Sequence, residues 1–333
     1  MTASETAGRH SPGAGTTTGV QQPGHPPEPE DLYVPIKGGT TIHVRHHPGA
    51  EERPFLLVHG LASNARLWGE VAERLSAAGH PVYAVNLRGH GETEAPANGA
   101  YGTDAATADV AAVCSALELT HALVGGHSWG ADIALSLAAG HPALVAGLAL
   151  VDGGYMDATV VYETWDNFVD LLAVAEPDLA GATLPGIRSF LEAAHPDWSE
   201  SAVEASLCSL RIGPEGTLSP HLSPALRSTI MRSVWDTPPS RLHPYVTQPV
   251  LLMPAVPHID QERMSPGLCA LFLRFRSSLA AAMARLPRAA VREYPGGDHD
   301  LHAQHPGGIA ADMLDLARAV LRGTPLDDRR EPE

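Results

Sequence analysis

Cysteine is scarce in this chain: Cys114, Cys208 and Cys269 are the only three in 333 residues. An odd number, widely spaced and set in apolar contexts, excludes a disulfide frame and reads as reduced core thiols, which predicts a cytoplasmic protein. Positive charge is short as well, with 22 Lys and Arg against 38 Asp and Glu and a net charge of -16. An acidic surface repels phosphate backbones and anionic headgroups, so neither a nucleic acid nor a membrane is the expected partner. No uninterrupted run of roughly 18 apolar residues occurs, which argues against a membrane span. Residues 1 to about 30, rich in Gly, Pro, Thr and Ser, lack the apolar block of a signal peptide and read as a disordered leader. No internal repeat is present.

What the chain does have is enough apolar material, 44%, to bury a sizeable core. Its runs alternate between strand-like and helix-like. Leu32–Ile36 and Thr41–Val44 flank the Gly38-Gly39 pair as a hairpin, and Phe55–Val58, Val82–Val85, Ala122–Gly125, Val145–Val151, Val250–Met253 and Val291–Tyr294 read as buried strands. Between them lie helices: one with Trp68, Val71 and Leu75 on one face and Ser63 at its cap; one over about 103–119; one from Ala131 that Gly140 stops with a left-handed cap; one over about 271–286; and a last with Ile309, Met313, Leu316 and Val320 in register. Such alternation predicts a mostly parallel, doubly wound sheet covered on both faces. Residues 31–154 and 247–322 form this core, 155–246 a helical cap, and 323–333 a flexible tail. A segment inserted between two parallel strands sits over their carboxyl ends, where such sheets bind ligands. Tyr155, Trp165, Met231 and Trp235 are therefore the candidate pocket residues, although most cap aromatics are expected to pack the cap's own interior.

The most informative run is Gly126-His127-Ser128-Trp129-Gly130, between a strand and a small-residue helix. It reads as a nucleophile elbow: a serine hydroxyl held open at a sharp turn, with glycines where a side chain would strike the neighbouring backbone. The helix that follows aims its first N–H groups at the place where an oxyanion would gather charge.

Further motifs follow the same order along the chain: His59-Gly60-Leu61 after the Phe55 strand, the turn Arg88-Gly89-His90-Gly91, and Gly296-Gly297-Asp298-His299-Asp300 after the last strand. On these, the chain resembles the α/β-hydrolase superfamily over roughly residues 32–322. The resemblance implies a Ser, acid, His triad beneath a variable cap, with Ser128 as nucleophile, His299 as general base and an oxyanion hole made by the backbone N–H groups of Leu61 and Trp129.

The acid departs from the pattern. Many relatives carry a carboxylate just after the strand that here is Val250–Met253, where this chain reads Pro254-Ala255-Val256-Pro257. Asp152, at the end of the strand after the nucleophile helix, is the preferred candidate, with Asp260 as the alternative and Glu262 beside it. Asn86 stands where relatives often place Asp, with consequences expected for loop structure. His302 and His305 repeat at intervals of three after His299, but no Cys or carboxylate set accompanies them, so neither a metal nor a cofactor is expected. His59 and His127 flank the site at positions where backbone matters more than ring, and His46 and His47 are expected at the surface.

The implied activity is cleavage of a carboxylic ester or lactone of a hydrophobic small molecule through an acyl-enzyme. A serine nucleophile argues against the Asp-dependent dehalogenases and epoxide hydrolases of the superfamily. The Ser128, Asp152, His299 arrangement is similar to the lactonases that open the macrolactone zearalenone. Carbon–carbon bond hydrolases of ring-cleavage products are an alternative, and so is a small-molecule-binding relative without turnover, a reading that retention of serine and histidine opposes. Exposed cap apolars allow a homo-oligomer.

Overall fold

The computed structural model describes residues 28–37, 39–94, 99–174, 179–256 and 265–327. Most of the expected leader, the end of the tail, Asp260 and Glu262 lie outside the described residues.

An eight-stranded sheet forms the centre. Its strands are β1 (Glu30–Pro35), β2 (Thr41–His47), β3 (Phe55–Val58), β4 (Val82–Val85), β5 (Ala122–His127), β6 (Val145–Val151), β9 (Val250–Met253) and β11 (Ala289–Val291), arranged β1-β2-β4-β3-β5-β6-β9-β11. β2 runs antiparallel to β1 and β4, and every other pairing in the sheet is parallel. Four further short strands stand apart as two pairs: β7 (Leu210–Ile212) with β8 (Leu218–Pro220), and β10 (Ala255–Val256) with β12 (Tyr294–Pro295).

Helices α1 (Gly69–Ala77), α2 (Thr103–Ala116) and α3 (Trp129–Gly140) belong to the first half of the core. Between β6 and β9 come α4 (Ala158–Val161), α5 (Trp165–Val174), α6 (Leu184–Ala194), α7 (Glu200–Leu207) and α8 (Pro224–Asp236), and after β9 come α9 (Pro266–Arg285), α10 (Leu301–Gln304) and α11 (Pro306–Arg322). Two apolar layers sandwich the sheet. On one face Leu56, Val58 and Val124 pack with Val110, Val113, Ile133 and Leu135 of α2 and α3; on the other, Phe55, Leu57 and Leu123 pack with Val71, Leu75, Ile309 and Met313 of α1 and α11. Burial on both faces is why these strands are unbroken apolar runs rather than alternating ones.

Several local expectations are corrected. Asn64, not Ser63, caps the first helical turn, its side-chain oxygen accepting from the Arg66 N–H at 2.8 Å. Gly140 stays inside α3, and the cap is His141, at φ -134° and ψ 58°, with Pro142 opening the next turn. The segment between β6 and β9 contains the β7–β8 hairpin as well as helices, because Gly216 takes up the positive φ that closes its loop. α9 starts earlier than its apolar periodicity suggests: Ser265 accepts from the Leu268 N–H at 3.3 Å, and proline suits the first helical position. The expected Val291–Tyr294 strand is split between β11 and β12.

His47 is buried and Cys208 is exposed, both against expectation. Gly267–Arg285 within α9 contains an 18-residue window of mean hydropathy 1.3, long and apolar enough by composition to cross a membrane, with only 11% of that window buried. A scan for unbroken apolar runs misses it because Arg274 and Arg276 interrupt the run. Arg274 ties the helix to α4, donating through Nε to the Val161 carbonyl at 2.7 Å.

Candidate active site

Register sets the site. Gly126 of β5 lies level with Val58 of β3, His127 with Val151 of β6, and Val151 in turn with Met253 of β9. Ser128 and Asp152, each one residue past its strand, therefore emerge side by side at the carboxyl edge of the sheet.

At Ser128 the backbone turns with φ 52° and ψ -121°, a conformation costly for any residue with a side chain and one that recurs at functional sites. The glycines around it leave no room for alternatives. A Cβ on Gly126 would lie 2.4 Å from the Gly130 carbonyl oxygen, and one on Gly130 would lie 2.3 Å from that of Val58.

His299 reaches the same edge from the loop after β12. Its Nε2 is 3.0 Å from Ser128 Oγ, and its Nδ1 is 2.7 Å from Asp152 Oδ2. The other carboxylate oxygen, Oδ1, accepts from the Tyr155 hydroxyl at 2.8 Å and from the Ala255 N–H at 3.1 Å. The chain position where relatives place their acid thus contributes an amide donor to the carboxylate one strand away.

Burial alone would push the Asp152 carboxyl up, but these hydrogen bonds and the imidazole's charge hold it below the usual carboxylate range. For His299, burial works against protonation; the Asp152 hydrogen bond and charge, aided by Asp300 and Asp298, outweigh it and raise the ring above its ordinary value.

The loop after β3 is pinned by two neutral imidazoles. His59 donates through Nδ1 to the Gly60 carbonyl at 2.7 Å and accepts from the Leu87 N–H at 3.0 Å, while His90 accepts from the Ala62 N–H at 3.1 Å. Desolvation pushes both rings down, His90 to about 4, which keeps them uncharged. Leu61 and Trp129 border the site, and among the described residues their backbone N–H groups enter none of the turn and loop hydrogen bonds. Asn86 is buried and structural: it accepts from the Ala65 N–H at 2.7 Å and donates to His43 Nδ1 at 2.7 Å.

A cavity of about 660 Å³ opens above Ser128 and His299, with Leu61, Met156, Tyr162, Phe168, Leu222 and Met231 in its wall. Asp132 also lines it, and burial pushes that carboxyl up from its ordinary value, to about 8.

Of the four residues proposed for the pocket, Met231 lines the cavity and the other three do not. Trp165 and Trp235 pack edge to face at 5.9 Å in a cluster with Phe168, with Arg232 5.0 Å above the Trp165 ring, and the Tyr155 hydroxyl is turned toward Asp152. An aromatic's place in the sequence does not tell which of its two sides faces the hollow. The roles of Tyr155, His90 and Ala255 also escape the sequence; only His90, in its Arg-Gly-His-Gly turn, offers a signal.

Comparison with known proteins bears on the fold. Residues 53–175 match the family model described as the alpha/beta hydrolase fold. N-formylmaleamate deformylase of Pseudomonas putida is 42% identical over 107 residues, 31% of this chain, which spans only 38% of that relative's length. The 2-(acetamidomethylene)succinate hydrolase of Mesorhizobium japonicum is 26% identical over 271 residues, 81% of this chain and 88% of that protein. A crystal structure of E-2-(acetamidomethylene)succinate hydrolase superposes with a TM-score of 0.70 at 22% identity, covering 88% of this chain and 100% of that one. The chain has the α/β-hydrolase fold.

Proposed function

We propose that this protein is a serine hydrolase that cleaves a carboxylic ester or lactone of a substrate with a hydrophobic body. The observation that carries the proposal is the unbroken chain from Ser128 Oγ through His299 to Asp152, 3.0 Å and 2.7 Å long in its two links. Ser128 Oγ adds to the substrate carbonyl as its proton passes to His299 Nε2. The oxyanion takes hydrogen bonds from the N–H groups of Leu61 and Trp129, and Asp152 holds the imidazolium that has formed. His299 returns the proton to the departing alkoxide, leaving an acyl group on Ser128. Water, deprotonated by the same imidazole, then releases the acid.

The mainly apolar cavity supports a hydrophobic substrate of drug-like size, and a resorcylic macrolactone such as zearalenone is within its compass. The names of the two relatives add formyl and acetamido groups to the acyl chemistries worth testing. The experiment is a panel of short esters, long esters, macrocyclic lactones, N-acyl amides and a vinylogous diketone, run beside Ser128→Ala. Ester or lactone turnover that disappears in the variant is expected. Turnover of the diketone alone would replace the reading with carbon–carbon hydrolysis, and binding without any turnover would replace it with a ligand-binding role.

A further inference from the structure

Behind the catalytic ring lies a second cluster that the proposed reaction does not use. His302 is fully buried, and neither of its ring nitrogens has a hydrogen-bond partner among the described residues; the buried His127 stands beside it. A neutral imidazole carries one N–H and one lone pair, and leaving both unpaired in the interior is unfavourable. Their rings lie 4.3 Å apart, and the carboxylate of Asp300 completes the group: one nitrogen from each histidine and one oxygen from Asp300 all fall within 4.8 Å of one another. Asp300 Oδ1 is 3.8 Å from His127 Nε2.

We infer that His127, Asp300 and His302 form a binding site for a transition-metal ion of the zinc class, and that its occupation inhibits the enzyme. Two imidazoles and a carboxylate are a donor set suited to zinc and neighbouring divalent ions. Metal–ligand bonds of about 2.0–2.2 Å in tetrahedral geometry need donor atoms somewhat over 3 Å apart, so the cluster reaches that geometry by a small contraction. His127 and Asp300 both line the main cavity, which gives an ion its way in.

Inhibition follows from what the ligands already hold. His127 Nε2 donates to the backbone carbonyl of His299 at 2.8 Å. Ligation through that nitrogen moves its proton to Nδ1 and breaks this hydrogen bond, while Asp300 and His302, one and three residues beyond His299, are drawn toward the ion. The loop that presents His299 to Ser128 is thereby displaced. The carboxylate that the sequence reading did not find for a histidine metal set is Asp300, and the second histidine comes from the elbow, 175 residues earlier than His302. His305, which completes the sequence repeat, stands instead against Tyr294.

The test is calorimetric titration of the full chain with Zn²⁺ in the absence of substrate, beside His302→Phe, which keeps a ring against Trp68. The expected result is one ion per chain in the parent and binding at least roughly tenfold weaker in the variant, since losing even an outer-shell partner costs tenfold or more. Asp300→Asn serves the same comparison if His302→Phe fails to fold. No binding by the parent overturns the inference, as does equal binding by the variant, which would direct attention to the buried His43 with the exposed Asp31 and Glu92. The inhibitory half rests on the hydrolase reading. An ester the parent turns over should lose activity reversibly to Zn²⁺, and His302→Phe should keep its basal rate and ignore the ion; binding without inhibition overturns that half alone.

Discussion

The Tyr155 hydroxyl donates to Asp152 Oδ1 at 2.8 Å, on the carboxylate oxygen opposite the one that holds His299. It is a positioning contact, since Tyr155 is absent from the cavity wall. Tyr155→Phe removes a donor that competes for the carboxylate's charge, so Asp152 pulls harder on the imidazole and the His299 pKa rises. The expected outcome is a rate–pH profile whose acid limb moves to higher pH, with kcat on the plateau lowered by about tenfold or less, in line with about 1.5 kcal/mol for a hydrogen bond to a charged group. A purely structural role would lower the rate and leave the limb in place.

Activity should rise with pH through a value above the ordinary histidine range. His299 must be neutral to accept the Ser128 proton, and Asp152 favours its protonated form, so deprotonation is delayed. In Asp152→Asn the raising charge is gone: the acid limb moves down while kcat falls by about 10⁴, as in other triads deprived of their acid. Asp260→Asn is expected to behave as the parent does. The two variants measured side by side over pH settle which carboxylate serves.

Gly130→Ala and Gly153→Ala should unfold at lower temperature. Their new methyl groups would meet the Val58 carbonyl oxygen at 2.3 Å and the Ser128 carbonyl oxygen at 2.4 Å, backbone atoms that cannot swing aside. A loss of about 1–3 kcal/mol or more is expected for each, measured by denaturant unfolding. Gly140→Ala, with nothing within 4 Å and an ordinary helical backbone, is the neutral control.

Asp109 and Arg88 form a buried two-bond ion pair, with Arg88 Nε 2.7 Å from Oδ2 and Nη2 2.5 Å from Oδ1. Asp109→Ala strands the guanidinium and is expected to cost about 3–5 kcal/mol. Replacing both partners, as in Arg88→Met with Asp109→Leu, should recover much of that loss in the same unfolding measurement.

The elbow and the strand ends were legible because their signals are local: glycines at fixed offsets from Ser128, and apolar runs that stop at His59, Asp152 and Pro254. Asp152 stood out as a carboxylate ending such a run, but what binds it did not. Its neighbours Ala255 and Tyr155 meet it only through the pairing of β6 with β9 and the turn that follows β6, and pairing is non-local. The His127–His302 contact was hidden for the same reason. Caps and short hairpins were misplaced where two adjacent residues could serve: Ser63 and Asn64 are equally good caps on paper, and only the fold decides that Asn64 also donates to the Ala205 carbonyl at 2.7 Å.

The central claim is that Ser128 is activated by His299. Its most direct measurement is labelling by a fluorophosphonate followed by peptide mass mapping, in the parent, Ser128→Ala and His299→Ala. The account predicts rapid stoichiometric modification of the parent on Ser128, and at most slow labelling in either variant. Modification of another residue, or labelling of His299→Ala at the parent's rate, would contradict it.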